Sequence, residues 1–133
     1  MTYVTDTHPF VYHVTGRKQR LGRRARSIFD RSDRGTDTIV VPFFRTGRSP
    51  SSNRDRADSY PLATPRFCSV VGQSVNVDLA ANDTAVLLEA ATFTTIRDPY
   101  DRLIIAQARV VGLPLITADE KVQESGLVRT VWD

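Results

Sequence analysis

Four aspartates stand where a folded chain would gather them. Asp6 follows the β-prone run Tyr3-Val4-Thr5, Asp98 and Asp101 open a helical pattern, and Asp119 closes the apolar run Leu113–Thr117. In open parallel α/β sheets, sites form outside the carboxyl ends of the strands. Asp6 and Asp119 end two such strands. The helix before the second strand starts at the same edge, which brings Asp98 and Asp101 there too. Three or four carboxylates on one edge repel one another and cost stability unless something positive lies between them. A hard divalent cation with oxygen ligands meets that need, and Mg²⁺ or Mn²⁺ suits a carboxylate set better than zinc.

Other chemistry has little behind it. A single cysteine, Cys68, excludes an internal disulfide framework and a thiolate zinc cage. His8 and His13 lack a cysteine or serine partner at triad spacing and read as surface or partly buried histidines. Neither G-x-x-x-x-G-K-[ST] nor G-x-G-x-x-G occurs, so no nucleotide-cofactor motif is present. Trp132 reads as core packing near the C-terminus.

The elements that must position the aspartates follow in order. Tyr3-Val4-Thr5 predicts a strand feeding a short helix over Pro9, Phe10, Val11 and Val14 that stops at Gly16. Leu21, Ala25, Ile28 and Phe29 have helical spacing and predict a second helix from about Leu21 to Asp30. Ile39-Val40-Val41 reads as a buried second strand ending at Pro42. Ser74-Val75-Asn76-Val77-Asp78 predicts a third strand, followed by a helix with Leu79, Val86, Leu87 and Ala90 on its buried face.

The helix from about Asp98 to Val111 is the most strongly marked. Asp98 suits the N-cap, Pro99 the first helical position, and Asp101 the first turn, where the helix dipole favours negative charge. Leu103, Ile104, Ala108 and Val111 form its buried stripe, and Gly112 with Pro114 ends it. Leu113–Thr117 reads as a strong buried strand and Leu127–Val131 as the last one. Strands alternating with helices predict a parallel sheet covered on both faces.

The chain's 133 residues are one domain's worth, with 41% hydrophobic and 25% charged residues, as in a soluble globular protein. There is no apolar run of about 18 residues and no basic segment followed by an apolar one, so neither a membrane span nor a secretory signal is expected. A cytoplasmic location is the expectation. Lys and Arg outnumber Asp and Glu by 18 to 15. The excess is concentrated in Arg17, Lys18, Arg20, Arg23, Arg24 and Arg26, a patch able to bind phosphates without reading sequence. A solvated helix face is the other reading of it. From Phe44 to Gln73, about 30 residues carry neither a helical nor a strand period, an unusual length for a compact domain.

These residues resemble a known family. Val4-Thr5-Asp6-Thr7-His8 resembles the opening aspartate motif of PIN-domain ribonucleases. Arg97-Asp98-Pro99-Tyr100-Asp101-Arg102-Leu103-Ile104-Ile105-Ala106-Gln107-Ala108 resembles their "DPFDRLLIAQA" block, and Gly112–Asp119 is similar to their late "glpLvTaD" strand. The likeness is to the VapC-type subgroup, the toxin half of toxin–antitoxin pairs, and covers about Met1 to Val41 and Ser74 to Trp132. It implies a three-layer α/β/α fold with a mostly parallel central sheet, as a single domain over residues 1–133. It implies a Mg²⁺- or Mn²⁺-dependent endoribonuclease in which a metal-activated water attacks the phosphodiester. Asp6, Asp101 and Asp119 match the catalytic, metal-binding carboxylates, and Thr7 and Thr117 are supporting residues beside them. Asp98 is either a cap or a further ligand. The RNA backbone would be held by Arg17, Lys18, Arg20, Arg23, Arg24 and Arg102, and the partners would be a cognate antitoxin and a second copy of the chain.

One departure stands out. The family carries a glutamate on the helix shortly after the "VP" that ends its second strand. Here Val41-Pro42 is followed by Phe43-Phe44-Arg45-Thr46-Gly47-Arg48-Ser49-Pro50, with no carboxylate before Asp55. The departure coincides with the stretch that lost its period, and a local reading-frame error or a decayed gene would account for both. The alternative function is therefore a catalytically impaired PIN-like protein that only binds an antitoxin or RNA.

Overall fold

The computed structural model describes residues 1–43, 76–81 and 83–133. In chain order the elements are β1 (Thr2–Thr5), α1 (Thr7–Val14), a 3₁₀ turn (Lys18–Arg20), α2 (Arg23–Asp33), β2 (Thr38–Phe43) and β3 (Val77–Ala81). Then follow α3 (Thr84–Ala90), α4 (Pro99–Val111), β4 (Leu115–Ile116), α5 (Glu120–Ser125) and β5 (Thr130–Val131). The five strands form one sheet in the order β3-β2-β1-β4-β5, with every pairing parallel. The sheet is thus wholly parallel among the described residues, where the sequence predicted a mostly parallel one.

Successive strand residues point to opposite faces, and here they separate two cores. Tyr3, Ile39, Val41 and Ile116 pack with Phe10 of α1 and Ala25, Ile28 and Phe29 of α2 on one face. Val4 and Leu115 pack with Val86 and Ala90 of α3, Ile104 and Ile105 of α4 and Val122 of α5 on the other. That is the expected three-layer α/β/α arrangement. Strands buried on both faces also explain why β2 reads as an unbroken apolar run.

α4 follows its sequence signals closely. The Asp98 carboxylate accepts from the backbone N–H groups of Tyr100 and Asp101 at 2.8 and 3.4 Å, and Pro99 opens the helix. Gly112 takes the left-handed conformation at φ +70°, while Gly112 and Leu113 donate to the carbonyls of Arg109 and Ala108. These paired bonds satisfy the last carbonyls of the helix.

Elsewhere the boundaries differ. The third strand is Val77–Ala81 rather than Ser74–Asp78, so Leu79 belongs to the strand and not to the helix after it. Asp83 caps that helix by accepting from Val86 N–H, which sets a phase burying Val86 and Ala90 and leaving Leu87 54% exposed. α2 starts at Arg23 and runs on to Asp33, and β2 extends one residue past Pro42. The two late strands shrink to two residues each, because only Leu115–Ile116 and Thr130–Val131 pair with each other. The short helix α5 was not foreseen. The irregular stretch 44–73 lies outside the described residues.

The C-terminus is locked to α2 by a close backbone approach. Gly22, the residue before α2, lies so near Trp132 that an added Cβ would fall 2.3 Å from its carbonyl oxygen, while Ala25 N–H donates to that same oxygen at 3.0 Å. Gly22→Ala is expected to cost about 1–3 kcal/mol as this contact is forced apart. A thermal melt should show a drop of several degrees, and an unchanged melting temperature would refute the contact.

Candidate active site

The site forms at the carboxyl edge of the sheet, where three chain segments end or begin. β1 passes into α1 through Asp6 alone, and its backbone N–H donates to the carbonyl of Ile116 in β4 at 2.9 Å. α4 starts at Pro99 and α5 at Glu120, so Asp98 and Asp119 cap helices that begin at this edge. Asp6, Asp98 and Asp119 each give one oxygen to a helix start. Asp6 Oδ1 accepts from Thr7 N–H at 2.7 Å, Asp98 Oδ1 from Tyr100 N–H at 2.8 Å, and Asp119 Oδ1 from Lys121 N–H at 2.9 Å. Asp101, one turn into α4, accepts no hydrogen bond among the described residues and keeps both oxygens free.

Thr117 joins two of these groups. Its buried hydroxyl donates to Asp6 Oδ2 at 3.1 Å and accepts from Asp119 N–H at 3.1 Å. All four aspartates line one cavity of about 420 Å³, together with Thr7, His8 and Tyr12. Asp6, Asp101 and Asp119 thus line one cavity at this edge. Asp98 is a cap by its hydrogen bonds and lines the cavity as well.

Electrostatics reflect the crowding. Burial raises the pKa of Asp6, and Asp119 adds to this; hydrogen bonds from Thr7 and Thr117 and the nearby His8 oppose it. Asp101 is pushed up to about 7, first by burial and then by the charges of Asp6, Asp98 and Asp119, with Lys121 opposing. Near neutral pH Asp101 is therefore only partly ionised, and a cation at the cluster would favour its charged form.

The donors are all oxygen, and free carboxylate oxygens face the cavity, so their chemistry fits a hard divalent cation. No group of three or more His, Cys, Asp or Glu side chains is drawn together as a ready ligand set among the described residues. The family glutamate position after Val41-Pro42 falls on residues 44–75, outside those described.

The basic residues divide. Lys18 pairs with Asp30 at 3.0 Å, and Arg26 donates to the Lys18 carbonyl. Arg20 lies over the ring of Tyr12, 5.6 Å from its centroid, and Tyr12 in turn lines the aspartate cavity. Arg24 lines a neighbouring cavity with Ala118 and Trp132. Arg17 and Arg23 are exposed and line none of these cavities. Arg102 lines none of these cavities, and its Nε donates to the Ile96 carbonyl. Sequence reasoning missed His8 and Tyr12 as cavity walls. Their signal was present: four residues apart on the helix that Asp6 caps, they share one face.

Thr117→Val keeps shape and removes the hydroxyl that Asp6 and Asp119 share. It is expected to cost about 1 kcal/mol and to raise the Asp6 pKa further, since a bond favouring its charged form is lost. Carboxyl NMR titration checks this, and an unchanged Asp6 curve would show that Thr117 does not tune it.

Comparison with known proteins gives two results. The PIN domain family model matches residues 3–126. Among solved structures, that of VapBC2 from Rickettsia felis bound to a DNA fragment from their promoter aligns at TM-score 0.60 and 14% identity, covering 100% of each chain. At that identity the likeness is one of fold. No curated protein matches the chain.

Proposed function

Given that the chain belongs to the PIN-domain family, whose members are generally nucleases, we propose that it is a Mg²⁺- or Mn²⁺-dependent endoribonuclease, the toxin half of a type II toxin–antitoxin pair. The observation that carries this reading is the Asp101 carboxyl, which accepts no hydrogen bond among the described residues and is pushed up to about 7 beside Asp6, Asp98 and Asp119 on one cavity. Such a cluster is costly unless a cation resolves it.

Asp6, Asp101 and Asp119 would hold the cation, with Asp98 as a further donor. When bound, it supplies charge neutralisation at the phosphate and an acidified water at neutral pH. The chain's residues set the stage. Thr117 keeps Asp6 oriented, the three capping bonds fix the outer carboxylates, and Asp101 gains its charge as pH rises through about 7. Arg20 and Arg24 flank the edge where they can meet backbone phosphates, whereas Lys18 is already paired. The PIN match over nearly the whole chain supports a single acting domain over residues 1–133. An antitoxin partner is supported by the VapBC2 likeness, and a homodimer and a cytoplasmic location follow from the same reading. Among the described residues no helix is long and apolar enough to cross a membrane.

A second reading, a PIN-like protein that binds antitoxin or RNA without cutting, is favoured by the missing carboxylate after Val41-Pro42 and the absence of a ready three-ligand set among the described residues. Labelled RNA incubated with purified protein in EDTA, Mg²⁺ or Mn²⁺ decides between them. Cleavage that needs the cation supports the nuclease; binding without cleavage under any metal supports the second reading.

A further inference from the structure

The carboxylates form a wall between two cavities. Beyond Asp98, Asp101 and Asp119, on the side away from His8 and Tyr12, lies a second cavity of about 500 Å³. Its lining includes two cations, Arg97 and Lys121, and its floor is made by Ile96 and Val122, 7% and 3% exposed. Arg97 and Lys121 are both exposed, and neither forms an ion pair among the described residues. By contrast Lys18, Arg31 and Arg109 are engaged by Asp30, Asp37 and Glu89. Lys121 is held beside the cluster, because its backbone N–H donates to Asp119 Oδ1.

A phosphodiester approaching four carboxylates is repelled by them, so its neighbouring phosphates need positive charge close by. Among the described residues Arg20, stacked over Tyr12, brings one such charge toward the first cavity. We propose that Arg97 and Lys121 form a phosphate-binding subsite on the other side, so that a single RNA strand crosses the carboxylate wall from one cavity to the other. The apolar floor of Ile96 and Val122 gives the adjoining sugar or base a surface to rest on. The proposal rests on the nuclease reading and adds to it a direction for the substrate.

The test is the salt dependence of binding. A labelled mixed-sequence RNA 12-mer is titrated with protein by fluorescence anisotropy, with Ca²⁺ in place of Mg²⁺, over a range of KCl concentrations. Each phosphate contact to a single strand contributes about 0.7 to the slope of log K against log salt. The double variant Arg97→Gln/Lys121→Gln should therefore lose about 1.4 from the wild-type slope, with weakening that is uniform across sequences. Arg109→Gln, whose partner is Glu89, should keep the wild-type slope. A wild-type slope in the double variant, in a protein that still binds and cuts RNA, overturns the subsite and leaves the nuclease standing. Wild-type protein that neither binds nor cuts RNA overturns both.

Discussion

Asp101→Asn is expected to cut cation-dependent RNA cleavage by about 10²–10³-fold, corresponding to the several kcal/mol that a correctly held metal contributes. The same substitution should make the metal-free protein more stable at neutral pH. Asp101 is pushed up to about 7 by burial and by its three acidic neighbours. The folded protein thus binds a proton there more tightly than the unfolded chain does. Between about pH 4 and 7 the native state carries more protons, so stability falls as pH rises and levels off above 7. Because Asp101 is only half-buried, solvent screening reduces the effect to about 1–2 kcal/mol. Asp101→Asn should flatten that slope, and Mg²⁺ added above pH 7 should raise the melting temperature of wild type more than that of the variant. Equal cleavage by both proteins would remove Asp101 from the site, and a wild-type stability that rises from pH 4 to 7 would contradict the burial argument.

The largest expected effect on stability lies one helical turn from Asp6. Phe10 is fully buried on α1 and faces Phe29 of α2, with ring centroids 6.4 Å apart. Phe10→Ala should cost about 3–5 kcal/mol through lost burial and the cavity left behind. That is a large part of the 5–15 kcal/mol typical of a domain. Phe10→Leu, which keeps most of the volume, should cost far less. Urea unfolding of the two variants tests the difference. A Phe10→Ala loss below about 1 kcal/mol would mean that α1 does not depend on this contact.

What could be read in advance depended on whether the signal was local. α4 was legible from end to end because Asp98, Pro99 and Gly112 act through bonds within a few residues of themselves. The aspartates were legible for a related reason: each stands at or near the end of an element, and a parallel sheet sends such ends to one edge. The late strands were over-extended because apolar character continues where the pairing partner does not. Val77 to Leu88 can be phased in two ways, and the Asp83 cap, rather than hydrophobicity, decides between them. α5 has one buried residue, Val122, and so offers no period to detect. Arg97 and His8 sit in motifs that were read for their aspartates, and Lys121 and Tyr12 lie outside them. Their roles emerge only when α1, α4 and α5 are placed around the same opening.

The sheet order also sets a timetable. β1 lies at the centre and pairs with β4, so the hydroxyl of Thr117 reaches Asp6 across 111 positions of sequence. At about 5–20 residues per second, a ribosome needs about 6–20 s to make the intervening chain. For most of that interval Asp6 has been made while Asp101 has not, and Asp119 follows only after Thr117. A nascent chain therefore has no complete acidic centre until Asp119 has been made.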